Sequence, residues 1–218
     1  MKRNLSFVLS LLSIVFALSA CATPLTYSAK EIHGQIVDAE TDQPIEGAVI
    51  VAQWILFQMG IGHGGHNGRI HIHETVTDQN GHYTIPAWGP KLHSPFTELD
   101  REDPQILILK SGYEPRSLYN SVDRSDSVRV SEWNGRVVKL KKPIADIEKQ
   151  AFFLSSFYGG LERGDYRDWC NYPRMLLAVY AEKRRLQSLG LKPGHAGSVP
   201  DIGNFSESDR LYLKRFEK

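Results

Sequence analysis

The feature that most restricts what this chain can become is a series of short strand-like runs between residues 32 and 142, each closed by turn-forming residues. "EIHGQIVDAETDQPIEGAVIVAQW" holds one run from Ile32 to Asp38 and a second from Ala48 to Trp54. Between them, Asp38 to Pro44 is rich in residues suited to turns. "RIHIHETV", "DQNG" and "HYTIP" follow and read as a hairpin closed by a four-residue loop, and "QILILKSGYEP" and "RVVKLKK" supply two further strands. Parallel partners need long crossover connections. Short strands at this spacing predict an antiparallel β-sandwich instead.

After Pro143 the apolar spacing changes from period two to helical. "ADIEKQAFFLSSFYGGLERG" predicts a helix with Phe153, Phe157 and Leu161 at four-residue steps. "YPRMLLAVYAEKRRLQSLG" predicts a second, with Tyr172, Leu176, Val179, Lys183 and Leu186 along one stripe and Asn171 capping its start. A third, short helix starts at Ser206, with Asp209 completing a capping box. Residues 144–218 hold 11 of the 22 aromatics, so this region must bury rings against the sandwich or against a partner. The fold class predicted is therefore mainly β, an antiparallel sandwich over 31–143 followed by a small α-helical C-terminal region over 144–218.

The N-terminus predicts the compartment. Lys2 and Arg3 precede an apolar stretch from Leu5 to Leu18 that suits a signal peptide and falls short of the ~20 apolar residues a spanning helix needs. "LSAC", Leu18 to Cys21, resembles the lipobox of bacterial lipoproteins. That resemblance implies removal of residues 1–20, acylation of Cys21 with palmitate-type chains, and a membrane contact through the lipid, with 21–30 as a tether. Ala22, where an aspartate would mark retention, resembles the outer-membrane sorting pattern, which implies an outer-membrane anchor facing the periplasm. Losing Lys2 and Arg3 takes the formal charge from +1 to −1, so no electrostatic case for nucleic acid exists. With Cys21 acylated, Cys170 is the one remaining thiol and is expected to be a buried, inert side chain.

Three pieces of the β region carry a second likeness. "GQIVDAETDQPIEGAVIVA", "TVTDQNGHYTIP" and "LILKSGYEP" occur in order and together resemble the carboxypeptidase regulatory-like domain. The matching residues include Gly34, Asp38, Pro44, Gly47, Thr77, Asp78, Gly81, Tyr83, Gly112 and Tyr113. The resemblance implies a prealbumin-like (transthyretin-like) sandwich acting as an appended or binding module without catalysis of its own. The segment from Ile55 to Gly68 is longer than the family pattern. Gly81 suits a loop position of positive φ, and Tyr83 and Ile85 point to one face of their strand.

His63, His66, His71 and His73 form the one chemical cluster in the chain and are the candidate metal ligands for Zn, Cu or Ni. In the hairpin register that pairs Thr77 with His82, Ile70, Ile72, Val76, Tyr83 and Ile85 share the core face, and His71, His73 and His82 look outward. His71 and His73 then stand roughly 6.5–7 Å apart at Cα, and His82 stands roughly 13 Å from His73, too far to join them. That register turns Glu74 inward. "HIHE" superficially resembles the zinc pair of metallocarboxypeptidases, but on a strand its His71 and Glu74 face opposite sides. The transthyretin-like hydrolase of purine breakdown ends in a tyrosine-arginine-glycine-serine tail, whereas this chain ends "KRFEK". No serine elbow or phosphate loop is present in the sequence. The expectation is a non-enzymatic envelope lipoprotein without a cofactor, binding an envelope protein or glycan; the alternative is a periplasmic divalent-metal-binding protein.

Overall fold

The computed structural model describes residues 24–59, 65–121, 126–162, 168–192, 194, 196, 199 and 201–217. Its strands are β1 (Thr26–Ala29), β2 (Ile32–Asp38), β3 (Val49–Gln58), β4 (His66–Val76), β5 (His82–Ile85), β6 (Trp88–Leu92), β7 (Thr97–Leu99), β8 (Gln105–Leu109), β9 (Arg116–Leu118), β10 (Val128–Arg129) and β11 (Arg136–Leu140). Its α-helices are α1 (Ile147–Leu161), α2 (Pro173–Ser188) and α3 (Glu207–Leu213).

The long apolar runs become the centre because they can be buried on both faces. β3 and β8 sit side by side in a five-stranded sheet ordered β4-β3-β8-β9, with β7 pairing the far end of β3. Alternation splits their side chains between two cores. Ile50, Ala52, Trp54, Ile106 and Ile108 face the sandwich interior, where β11-β2-β5 and β10-β1-β6 supply Ile32, Ile36, Tyr83, Ile85, Trp88 and Val138. Val51, Leu107 and Leu109 face the other way and meet Ala151, Leu154, Phe157, Leu161, Leu176, Val179 and Leu186 of α1 and α2. The result is a mostly β, mainly antiparallel sandwich with a helical layer on one side. Two pairings, β11 with β2 and β1 with β10, are parallel.

Three sequence expectations change here. First, β4 and β5 are not a hairpin. β4 pairs β3 and β5 pairs β2, so "DQNG" bridges two sheets. The reason is local: Thr77 N–H donates to Ala48 O and Gly47 N–H to Thr77 O, which keeps β4 on β3 through its last residue. Gly81 then hands the chain across, with φ +72° and its carbonyl accepting from Ile36 N–H at 2.8 Å. A Cβ there would also strike the Ile36 carbonyl. Second, residues 26–29, expected within the tether, form β1. Third, Tyr172 rather than Asn171 is the N-cap of α2, and its side chain makes no capping bond.

The residues that carry the regulatory-like resemblance touch one another. The Tyr113 hydroxyl donates to the Asp38 carboxylate at 2.8 Å, and the Thr77 hydroxyl donates to Ile45 O and accepts from Ala48 N–H. The Asp38 carboxyl is held well below the usual range by the Glu40 N–H first, then by the Tyr113 hydroxyl and the Thr41 N–H.

Candidate functional site

β4 carries the histidines, and its register decides what they meet. Directly opposed residues on paired strands lie on one face of the sheet. His71 opposes Trp54, His73 opposes Ala52 and Thr75 opposes Ile50, so these three look toward the sandwich interior. Ile72, Glu74 and Val76 oppose Gln53, Val51 and Val49 and look toward the helices. The outward, wet face expected for His71 and His73 is thus an inner one, and Ile72 lies against the helical cluster while Tyr83 lies in the sandwich core. The pleat kept His71 and His73 on one face, but the core face expected for Ile70, Ile72, Val76, Tyr83 and Ile85 is split: Ile70, Tyr83 and Ile85 pack with the sandwich core, Ile72 packs with the helical cluster and Val76 is exposed, because β4 pairs β3 instead of β5 and its register shifts beside Ile70.

His71 is half-buried between two indoles, its ring 5.5 Å from that of Trp54 and 5.1 Å from that of Trp88. Its Nδ1 lies 3.0 Å from Lys91 Nζ, which also donates to Ile70 O at 3.2 Å and sits 5.5 Å from the centroid of the Trp88 ring. Burial, then the Lys91 charge, then His73 push the His71 pKa down to about 4. Burial lowers that of His73 as well. Since an ammonium can only donate, Nδ1 of His71 accepts and the ring proton belongs on Nε2. In that tautomer neither nitrogen is free for a metal.

His66 begins β4 opposite Phe57. His63 lies outside the described residues, as does Cys21. Among the described residues no group of three or more His, Cys, Asp or Glu side chains is arranged to hold an ion. His82 is exposed on β5, in the opposite sheet, where it lines a shallow cavity of about 330 Å³ with His33, Tyr83 and Arg136. Cys170, expected to be buried, is exposed.

The helix-facing side of β4 holds a polar arrangement that sequence reasoning missed. Glu74 accepts from Met175 N–H at 2.7 Å and Arg174 N–H at 3.2 Å, and its carboxylate lies 3.8 Å from the Arg174 guanidinium. It therefore fills the capping role that Tyr172 leaves open, from a strand 100 residues away. Burial raises its pKa, against the pull of those two N–H groups and Arg174. At the other end of β4, Arg69 donates to Leu161 O at the end of α1 and to Gln53 Oε1 at 2.7 Å. Gln53 in turn donates to Gly160 O at 2.8 Å and to Gln105, which donates to Tyr119. An acid at a helix N-terminus and a base at a helix C-terminus both match the helix dipole. One strand thus grips two helices by opposite ends. The visible signal was Gln53, a single amide within "VIVAQWILF", where burial without a partner would be costly.

No family model matches the chain, and no curated protein matches it. Similar solved structures include a streptococcal ancillary pilin (17% identity, TM-score 0.25, covering 52% of this chain and 29% of that one). A 3-chlorocatechol 1,2-dioxygenase from Rhodococcus opacus is similar at 14% identity and TM-score 0.31, over 54% of this chain and 61% of that one. The shaft pilin of Lactobacillus rhamnosus GG is similar at 11% identity and TM-score 0.24, over 56% and 47%. The chain thus spans less than two thirds of each of these three, and no activity or partner is carried over from them. The chain's own strands give the conclusion that stands: a mostly β protein whose antiparallel sheets pack as a sandwich, with a few helices at its C-terminal end.

Proposed function

We propose that this chain is an envelope lipoprotein, held through an acylated Cys21 at the outer membrane and facing the periplasm. Its regulatory-like sandwich and helical layer act as a non-enzymatic module that binds an envelope protein. The observation that carries the reading is the short distance from anchor to body: β1 begins at Thr26, five residues after Cys21. The mutual contacts of Asp38 with Tyr113, and of Thr77 with Ile45 and Ala48, support the regulatory-like resemblance. For binding, the support is a pair of exposed rings on α1, Phe152 and Phe153, 6.1 Å apart between centroids. Aromatic side chains are enriched at interface centres.

Mass spectrometry of the membrane-extracted protein tests the anchor: an acylated Cys21 at the mature N-terminus is expected, and a free, unprocessed Cys21 overturns it. Cross-linking in intact cells tests the module. A discrete adduct that disappears in Phe152→Ser/Phe153→Ser is expected, and an adduct pattern unchanged by the pair refutes this face as the binding one.

The metal reading keeps second place because His71 and His73 share one face, two residues apart. Lys91 at Nδ1 of His71 weighs against it. Zinc titration separates the two readings. Stoichiometric uptake by the untagged protein, abolished in His71→Ala/His73→Ala, would favour metal over the interaction module.

A further inference from the structure

The place where the chain enters the folded body is fixed and apolar. The Pro24 carbonyl meets Nε2 of His93, whose ring stacks on Tyr27 at 4.5 Å and whose Nδ1 faces Ser94 O at 2.9 Å and Thr97 Oγ1 at 3.1 Å. The entry point is therefore pinned to the turn between β6 and β7. Around it lie Leu25, 72% exposed, Leu92, 79% exposed and opposite Thr26 in the β1–β6 ladder, and Phe96, 66% exposed in the turn itself. These are the three most exposed large apolar side chains among the described residues. Single exposed leucines are ordinary on a soluble protein. Leu25 adjoins Pro24, Leu92 precedes the His93 that holds it and Phe96 lies in the same turn, and exposed apolar side chains so placed about one entry point mark a contact.

We propose that Leu25, Leu92 and Phe96 form a membrane-contacting patch that rests on the bilayer holding Cys21. The inference rests on the lipoprotein reading above. Its occupant follows from chain length: Cys21 lies three residues before Pro24, a reach of at most roughly 11 Å when extended. An acylated Cys21 therefore brings this end of the protein to the interface whatever the tether's conformation. From His93 to Thr97 the turn carries no lysine or arginine, so the contact is made by apolar partition and not by attraction to anionic headgroups. The patch makes the anchor two-point, an acyl group plus a protein surface, and so sets how the sandwich is turned relative to the membrane.

The test uses the mature, acylated full chain in phosphatidylcholine vesicles, with nitroxide probes placed singly at Leu92→Cys, Phe96→Cys and Phe152→Cys in a Cys170→Ser background. Phe152 is 65% exposed and remote in sequence, so it reports the water-facing case. The expected result is a several-fold lower accessibility to a water-soluble nickel chelate at positions 92 and 96 than at 152, with higher accessibility to oxygen. Near-ultraviolet circular dichroism checks that each variant is folded. Water-like accessibility at 92 and 96 with Cys21 shown acylated by mass spectrometry overturns the patch and leaves the anchor standing. An unmodified Cys21 overturns both. Shielding from both reagents together with spin–spin broadening identifies a second copy of the chain as the occupant and equally overturns the proposal.

Discussion

The two faces of the five-stranded sheet are both buried, but by different means. Toward the sandwich, Ile50, Ala52, Trp54, Ile106 and Ile108 pack against other strands, and His71 and His73 of β4 complete that face at its edge. Toward the helices, Val51, Leu107 and Leu109 provide the apolar contact while Gln53, Arg69 and Glu74 bind backbone at helix ends. The difference teaches where specificity resides. Apolar contact alone would let α1 and α2 slide along the sheet; the charged and amide groups at their ends fix where they stop.

Breaking the apolar side of the helical interface has the largest expected effect. Leu107→Ala removes a fully buried side chain between sheet and helices and is expected to cost about 3 kcal/mol, read by chemical denaturation. A matching loss in Ile108→Ala, on the sandwich side, would show that both cores belong to one cooperative unit. Arg69→Ala leaves Leu161 O without its charged donor and is expected to cost about 2 kcal/mol. Hydrogen exchange in this variant should rise first at the end of α1. Glu74→Ala should cost about 1 kcal/mol, the ordinary worth of a helix cap. Exchange at Arg174 and Met175 is the readout, and unchanged protection there would refute the cap.

Smaller effects follow from pH. A histidine whose folded pKa is depressed favours the folded state only while neutral, so the His71 contribution is complete above its ordinary value of 6.5 and is lost as pH falls toward about 4. Solvent screening of a half-buried ring keeps this effect modest. His71→Phe should flatten the denaturation midpoint in that window. The contribution of Asp38 is lost at lower pH, below the ordinary carboxylate range of 3.8, and the two are therefore separable. Phe152→Ser, at an exposed position, should change stability by less than about 0.5 kcal/mol.

Much of the fold was legible because burial writes itself into local pattern. β2 spans Ile32 to Asp38 as read from "IHGQIVD", Gly81 has the positive φ its loop required, and Ser206 caps α3 through Asp209 N–H at 3.2 Å. The stripe of α2 is buried at Tyr172, Leu176, Val179 and Leu186, with Lys183 reaching Val199 O at its margin. α1 was read less well: Phe157 and Leu161 are buried but Phe153 is 42% exposed. β6, β7, β9 and β10 went unread because runs of two to five residues, one containing Pro90, hold too little alternation to rise above turn sequence. The surroundings of His71 and His73 were misread for another reason. Alternation states which residues of β4 share a face, but not which strand lies beside them, and a four-residue loop between two strands serves a hairpin and a crossing between sheets alike. Glu74 looked out of place because its partner, the start of α2, is 100 residues away.

The account turns on β4 presenting His71 and His73 to the sandwich and Glu74 to the helices. Long-range nitrogen correlation spectra of the His71 ring, recorded across a pH titration, test this most directly. A ring proton fixed on Nε2 and a titration midpoint near 4, released upward in Lys91→Met, is the result expected. A midpoint near 6.5 with both tautomers in exchange would contradict it, returning His71 to open water and β4 to the opposite orientation.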